Sequence, residues 1–285
     1  MNFEPLREME SFSNEMFTRI VAVQQKEHAC WNPALPFAER IKGLPLYSLI
    51  FSNPDRNAAT TGPTIAYYYP LRSEMRKIAH YARQVAAQPI ACDLNCGNGF
   101  IGSLLAREGV SVIGVRDPAT KPHQIPDFHD TNGYEVRNQP ISDIDFPFDV
   151  AFCSWMPSEI NLTPEILQHS PKLIVYVYTD HIDESTGKRQ TGTAEAFTQL
   201  PPRYKLIDEW SVTRQNDMMH EIWPELSASI EEIRHVRIYA DEPFHGISLR
   251  GYTEAAKGYD WERDMEMTLL ALAAKEHLRS RGIAV

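Results

Sequence analysis

The spacing of apolar residues divides the chain into three parts. Over residues 1–87 apolar positions recur every three or four residues, which predicts helices separated by breakers. Over residues 88–241 short apolar runs alternate with helical patterns, and residues 242–285 end in a further helical pattern. We therefore predict a helical N-terminal cap, an α/β core and a C-terminal helical extension with these bounds.

The middle part predicts a largely parallel sheet. Helices between several of its strands are typical of a doubly wound sheet with helices on both faces. The last two strands are longer and alternate more strictly, which favours an antiparallel pair at one edge. The predicted strands are 89–93, 110–115, 133–137, 149–153, 172–178, 204–214 and 234–241. The predicted helices are 4–25, 37–50, 71–87, 100–108, 164–169, 193–200 and 260–281.

Composition excludes several classes of protein. The chain has 285 residues, of which 43% are hydrophobic and 23% charged, enough for a packed core and against intrinsic disorder. Its apolar runs are shorter than a membrane helix needs. Its first residues do not show the basic segment followed by an apolar segment that is typical of a signal peptide, so we expect a cytoplasmic protein. The formal charge of −10 disfavours nucleic acid, because phosphate binding depends on Lys and Arg. We expect a small-molecule substrate, and the sequence does not indicate the oligomeric state.

Neither cysteine nor histidine spacing predicts a metal site. The four cysteines lack paired CxxC spacing, so we expect reduced thiols. His123, His129 and Asp130 form a cluster in a proline-rich loop, but without a regular ligand spacing. We predict no metal.

The most informative segment is IACDLNCGNGFIG, residues 90–102. A strand ends in Asp93, small and turn-forming residues follow, and a helix begins at once. Gly97 and Gly99 allow positive φ angles and close approach of a ligand, while the helix start supplies unpaired N–H groups. Both dinucleotides and adenosyl cofactors bind such turns.

A dinucleotide site is one interpretation. Gly97, Gly99 and Gly102 match GxGxxG, and Asp117 lies about 20 residues further on. Against it, the four residues from Asp93 to Cys96 stand between the apolar part of the strand and the first glycine, and Asp93 would bring a carboxylate to the pyrophosphate, which is unfavourable at short range. A cofactor with a cationic aminoacyl group avoids that conflict.

Residues 93–99, DLNCGNG, resemble the DxGCGxG first motif of class I S-adenosylmethionine-dependent methyltransferases. Residues 88–241 also follow that family's order of strands and helices. The resemblance implies a Rossmann-like, seven-stranded methyltransferase fold, S-adenosyl-L-methionine as cofactor, Asp93 near its methionyl amine, and the backbone of Gly97 and Gly99 close to the ligand. Asn95 stands where the family usually has glycine, and asparagine tolerates the left-handed conformation.

The resemblance also implies cofactor contacts at other strand ends. Asp117 is the candidate for the ribose hydroxyls, although Arg116 occupies the commoner position, and Asn138 is the candidate for the adenine amine. A solvated loop position is the alternative for Asp117 and Asn138. Ser154, after the fourth strand, and Tyr69, in the predicted cap, complete the predicted cofactor site.

Candidates for the reacting centre follow strands four and five. Trp155 stands where nucleic-acid and amide methyltransferases carry an Asn-Pro-Pro-Tyr type motif, and it either faces the sulfonium or packs in the core. Tyr176 shares a strand face with Tyr178 and is a candidate for orienting the ligand. His181, next to Asp180, is the candidate general base, with an ordinary surface histidine as its alternative.

These residues predict an S-adenosylmethionine-dependent enzyme that acts on a small molecule, with methyl transfer as the first hypothesis. The alternative is a cyclase of the azetidine-2-carboxylate synthase branch, whose members resemble these methyltransferases but let the methionyl amine attack the γ carbon of its own chain, so that methylthioadenosine leaves. A catalytically inactive ligand-binding protein with the same fold is the third hypothesis.

Overall fold

The computed structural model describes residues 4–46, 64–120, 122, 123, 125–213, 233–254 and 257–284. Backbone proximity divides them into two compact units. One comprises residues 4–46, 64–69 and 257–284, and the other contains the rest of the described chain. The bounds of cap, core and extension stay a prediction.

Six α-helices and seven strands make up the regular structure of the described residues. The helices are α1 (Glu4–Gln24), α2 (Phe37–Ile41), α3 (Arg72–Val85), α4 (Phe100–Arg107), α5 (Thr163–Gln168) and α6 (Asp260–Ser280). The strands are β1 (Ile90–Leu94), β2 (Ser111–Arg116), β3 (Tyr134–Asn138), β4 (Val150–Ser154), β5 (Leu173–Thr179), β6 (Tyr204–Thr213) and β7 (Ile233–Asp241). Short 3₁₀ turns cover Ala29–Trp31, Ile141–Asp143 and Glu242–Phe244.

The larger unit is built on one seven-stranded sheet with the order β3-β2-β1-β4-β5-β7-β6. Neighbouring strands among β1 to β5 pair in parallel, and β7 pairs antiparallel with both β5 and β6. The predicted Rossmann-like α/β fold with an antiparallel edge pair is therefore confirmed. All residues of β4 and β5 are buried, as expected for continuous apolar runs in central strands.

One predicted helix is wrong. Residues 194–198 form a turn rather than part of a helix over 193–200. The carbonyl of Ala196 accepts a hydrogen bond from the Thr163 hydroxyl (2.7 Å), and that of Phe197 accepts one from the Tyr239 hydroxyl (2.8 Å). These side chains take carbonyls that a helix would use for its own backbone bonds.

A buried carboxylate connects α3 to the antiparallel edge of the sheet. Glu74 accepts from the backbone N–H of Leu71 (2.7 Å) and thereby caps α3. It also accepts from the Trp210 indole of β6 (3.0 Å) and forms a buried ion pair with Arg234 of β7. Arg234 is the pairing partner of Thr179, the last residue of β5. The start of α3 is thus fixed beside the carboxyl end of β5.

The smaller unit contains helices from both ends of the chain. Arg19 of α1 pairs with the buried Asp264 of α6 (2.9 Å), which confirms helices predicted at both termini. The helix predicted over 37–50 ends at Ile41, and Gly43 with φ +66° follows it; residues 47–50 lie outside the described residues. Of the helices in the described ranges, none has the length and apolar character to cross a membrane.

Candidate functional site

The loop between β1 and α4 has left-handed backbone at every second residue. Asn95, Gly97 and Gly99 have φ values of 59°, 57° and 83°. The prediction that Asn95 takes the left-handed conformation is confirmed. The loop lies where the chain order changes direction, because β2 pairs on one side of β1 and β4 on the other. Ligands of open α/β sheets bind at such switch points.

Gly97 is the open point of this loop. It is exposed, and a Cβ atom added there would meet no described atom within 4 Å. Next to it, the buried Asn98 accepts from the N–H of Phe100 (3.1 Å) in the first turn of α4. The backbone at Gly97 is therefore free to approach a ligand, while its neighbour holds the helix start.

Asp93 lies beneath this loop. Its side chain is only 1% exposed, and it accepts hydrogen bonds from the Tyr134 hydroxyl (2.8 Å) and from the backbone N–H of Gly102 in α4. Burial raises the pKa of Asp93 to about 7, and the two hydrogen bonds lower it only in part. The carboxyl group therefore keeps its proton to a higher pH than an ordinary aspartate does. Its contact with a methionyl amine stays a prediction.

A basic residue ends β2. Arg116 is paired across the sheet with Asn138 of β3, interacts with the Cys96 thiol, and approaches Asp127 to 3.3 Å. The carboxylate of Asp117 accepts from the N–H of Ala119 (2.8 Å) within its own turn. Asn138 is exposed at the end of β3. The ribose and adenine contacts predicted for Asp117 and Asn138 stay predictions.

The segment after β2 packs against the glycine loop, which the sequence did not indicate. The N–H of Phe128 donates to the carbonyl of Asn98 (2.8 Å), and the N–H of Asp130 donates to the Ser103 hydroxyl of α4 (2.9 Å). The His129 ring lies 5.4 Å from that of Tyr134. Among the described residues, no group of three or more His, Cys, Asp or Glu side chains is placed to hold a metal.

Trp155 has an unusual backbone at the end of β4. It has φ +61° and is 7% exposed, and its backbone N–H donates to the carbonyl of Val177 (2.8 Å). A bulky residue in this region costs about 1–3 kcal/mol, and such residues concentrate at functional sites. Ser154, just before it, is buried and paired with Val177. The local strain supports Trp155 as a site candidate, and the role of Ser154 stays a prediction.

The side chain of Tyr176 belongs to the hydrophobic core. Its hydroxyl is 2.7 Å from the hydroxyl of Thr163, and its ring packs edge-on against Phe197 at 5.4 Å. Tyr178 stacks on the same Phe197 at 4.1 Å, which confirms that the two tyrosines share a face. These contacts are structural, and a catalytic role for Tyr176 stays a prediction.

A histidine that the sequence analysis missed lies beside Asp180. His235 of β7 has Nε2 at 3.3 Å from Asp180 Oδ2 and Nδ1 at 3.0 Å from the Ser211 hydroxyl of β6. Asp180 also pairs with Arg189. His181 donates its backbone N–H to the Thr179 hydroxyl (3.2 Å). The strand register that places Ser211 opposite His235 is the signal that would have found this group.

Tyr69 belongs to the smaller unit. It is fully buried, with its ring 5.5 Å from that of Trp261. Its predicted role in closing the cofactor site stays a prediction.

Comparison with known proteins gives distant likenesses only. No family model matches the chain, and no curated protein matches it. Solved structures similar to it include the YcgJ protein from Bacillus subtilis (13% identity, 59% of this chain and 98% of that one, TM-score 0.40). Another is magnesium protoporphyrin IX methyltransferase from Synechocystis with bound S-adenosylhomocysteine (12% identity, 60% of this chain and 82% of that one, TM-score 0.37). A third is tRNA (uracil-54, C5)-methyltransferase from Pyrococcus abyssi (14% identity, 59% of this chain and 37% of that one, TM-score 0.33). Likenesses this low do not identify the ligand or substrate of this chain.

The raised pKa of Asp93 generates a prediction about stability. Between about pH 4 and about pH 7 the unfolded chain loses this proton while the folded protein keeps it, so the free energy of unfolding should fall as pH rises. The slope approaches 1.4 kcal/mol per pH unit in the middle of that window. Asp93→Asn should remove this fall in the free energy of unfolding, which is measured by urea unfolding at a series of pH values. Asp145→Asn, at a carboxylate that is 81% exposed, is the control and should retain it. An unchanged profile in Asp93→Asn would contradict the raised pKa.

Proposed function

We propose that the protein is an S-adenosylmethionine-dependent enzyme that transfers a methyl group to a small molecule. The supporting observation is the loop from Asn95 to Gly99, which has alternating left-handed residues and an open backbone at Gly97. It lies at the switch point of a seven-stranded sheet with an antiparallel edge pair. We further propose, from the sequence, a cytoplasmic protein that does not act on nucleic acid.

The residues at the loop fit this cofactor in part. The backbone of Asn95, Gly97 and Gly99 offers the close approach that an adenosyl ligand needs, and Asp93 supplies negative charge beneath a cationic aminoacyl group. The end of β2 fits less well, because Arg116 occupies the position where the ribose-binding acid more commonly stands. We assign Asp117, Asn138, Ser154 and Tyr69 to the remaining cofactor contacts on the sequence alone.

The chemistry divides between cofactor and protein. The cofactor, when bound, supplies an activated methyl group on a positively charged sulfur. The protein holds the acceptor in line with that methyl group, and such positioning supplies much of the rate. We assign Trp155 to the region of positive charge, since an aromatic face stabilises a cation by about 0.5–2 kcal/mol. Tyr176 and His181 remain candidates from the sequence.

An acceptor hydroxyl or amine releases a proton as it is methylated, and His235 is our candidate to take it. Asp180 lies 3.3 Å from Nε2, which favours the tautomer with hydrogen on Nε2 and leaves Nδ1 as the acceptor. The Ser211 hydroxyl is 3.0 Å from that nitrogen. When the acceptor takes the methyl group that the cofactor would supply, its proton would pass to Nδ1 and the acceptor would there take the place of the Ser211 hydroxyl.

The experiment that tests this function measures products. We expect the protein, incubated with S-adenosylmethionine and a protein-free extract of small metabolites, to release S-adenosylhomocysteine and to label a small molecule from the methyl group. Methylthioadenosine formed without any extract would instead support cyclisation to azetidine-2-carboxylate. Binding of S-adenosylhomocysteine without either product would indicate a catalytically inactive binding protein. Tight binding of NAD in place of S-adenosylhomocysteine would refute the proposal.

The open position of Gly97 gives a test of the binding loop. Gly97→Ala should weaken S-adenosylhomocysteine binding at least tenfold in calorimetry, because the new methyl group enters the space proposed for the ligand. Gly187→Ala is a matched control: Gly187 has a similar φ of 67°, and a Cβ there also meets no described atom within 4 Å. Both changes should cost about 1–2 kcal/mol of folding free energy through backbone strain. Equal affinities in the two variants would place the ligand elsewhere.

The two candidate bases are separated by single substitutions. His235→Gln should lower kcat at least a hundredfold and leave S-adenosylhomocysteine affinity unchanged, because it removes only the proton acceptor. His245→Gln, at a half-buried histidine hydrogen-bonded to the carbonyl of Arg203, should have no effect. A large loss in His181→Gln with none in His235→Gln would restore the candidate that the sequence suggested.

A further inference from the structure

Tyr134 begins β3, yet its side chain reaches the end of β1. Its ring lies in a slot between three glycines of different elements. A Cβ atom added at Gly99 would approach ring carbon Cε1 to 2.8 Å, and one added at Gly102 would overlap ring carbon Cε2. One added at Gly114 of β2 would overlap the hydroxyl oxygen. The absence of side chains at these positions therefore makes room for this tyrosine.

The hydroxyl group of Tyr134 is the side-chain donor to the buried Asp93. The distance to Oδ2 is 2.8 Å, and the second donor is the backbone N–H of Gly102. The hydroxyl also interacts with the Cys96 thiol, and that thiol interacts with Arg116. A continuous line of polar side chains thus runs from the end of β1 to the end of β2.

The other groups that face Asp93 do not replace this donor. The thiols of Cys92 and Cys153 interact electrostatically with its charge, and both have pKa values raised by burial, so they are neutral. Burial raises the pKa of Cys96 to about 12, so its thiol is neutral as well. Arg116 is the cation of this group and contacts Cys96. In this buried place, a donated hydrogen bond is the main means of favouring the charged carboxylate.

We infer that Tyr134 is a positioning residue that favours the charged form of Asp93 and thereby tunes the affinity of the glycine loop for a cationic ligand. This inference rests on the proposed function for the identity of the ligand. Its physical basis is independent of that function: without the hydroxyl, Asp93 retains its proton to higher pH. A neutral carboxyl group attracts the ammonium group of an aminoacyl ligand far less than a carboxylate does.

The test compares Tyr134→Phe with the unchanged protein. Phenylalanine keeps the ring in its slot and removes only the donor. The protonation of Asp93 is followed directly by carboxyl-carbon NMR of the ligand-free protein labelled at aspartate. We expect its midpoint to move upward by about one pH unit in Tyr134→Phe. The control is Tyr239→Phe, which removes a buried hydroxyl that donates to the carbonyl of Phe197, and it should leave the midpoint in place.

Ligand affinity supplies the second measurement. S-adenosylhomocysteine carries an ammonium group, and its affinity for the unchanged protein should rise as pH increases from 6 to 8. For Tyr134→Phe the affinity should be about tenfold weaker near pH 6, as a shift of one pKa unit requires, and the difference should narrow toward pH 8. Methylthioadenosine lacks the ammonium group, and its affinity should not follow this pattern.

The outcomes separate the two ideas. An unmoved Asp93 midpoint in Tyr134→Phe overturns the role of Tyr134, whatever the ligand does. Failure of the unchanged protein to bind S-adenosylhomocysteine overturns the proposed function, while the carboxyl titration still decides on Tyr134. A loss of affinity that is equal at every pH, with an unmoved midpoint, would reduce Tyr134 to a packing residue.

Discussion

The loop of the candidate site depends on one constraint, the burial of the Asp93 carboxyl group beneath the first turn of α4. A charge in this place is costly unless donors surround it, and the donors are the Tyr134 hydroxyl and the N–H of Gly102. That requirement fixes the direction of α4 relative to β1, because Gly102 must come close to the carboxylate. The left-handed residues Asn95, Gly97 and Gly99 lie between them and turn the chain from the strand into the helix. Charge, helix start and loop shape are therefore parts of a single arrangement.

This arrangement leaves the outer face of the loop available for binding. Asn98 satisfies an N–H of the helix start, and Phe128 binds the carbonyl of Asn98, so the polar backbone is largely paired on its inner side. Gly97 remains exposed. Toward the other end of the sheet, Glu74 and Arg234 fix β7, the strand that carries His235, beside the carboxyl end of β5. The sheet thus has the glycine loop at the end of β1 and the polar group of His235, Asp180 and Ser211 near the end of β5.

The sequence predicts the sheet well, because β4 and β5 are continuous apolar runs and β6 alternates as an exposed edge strand does. The left-handed Asn95 was predictable from the motif and the known tolerance of asparagine. The turn over residues 194–198 was not, since its carbonyls bind side chains that are distant in sequence. The roles of Tyr134 and His235 could not be predicted for the same reason. Their partners are set by strand pairing, which a single sequence does not reveal.

The slot around Tyr134 also has a consequence for how the site forms. Tyr134 and Asp93 are 41 positions apart, and the slot between them exists only after β3 has paired with β2 and α4 has docked. The glycine loop therefore cannot reach its final shape during early, local folding; it waits for non-local contacts, which form slowly. Since β3 is an edge strand, its brief detachment from β2 would open the slot and release the loop. The shape of the glycine loop thus depends on the pairing of an edge strand as well as on the residues of the loop itself.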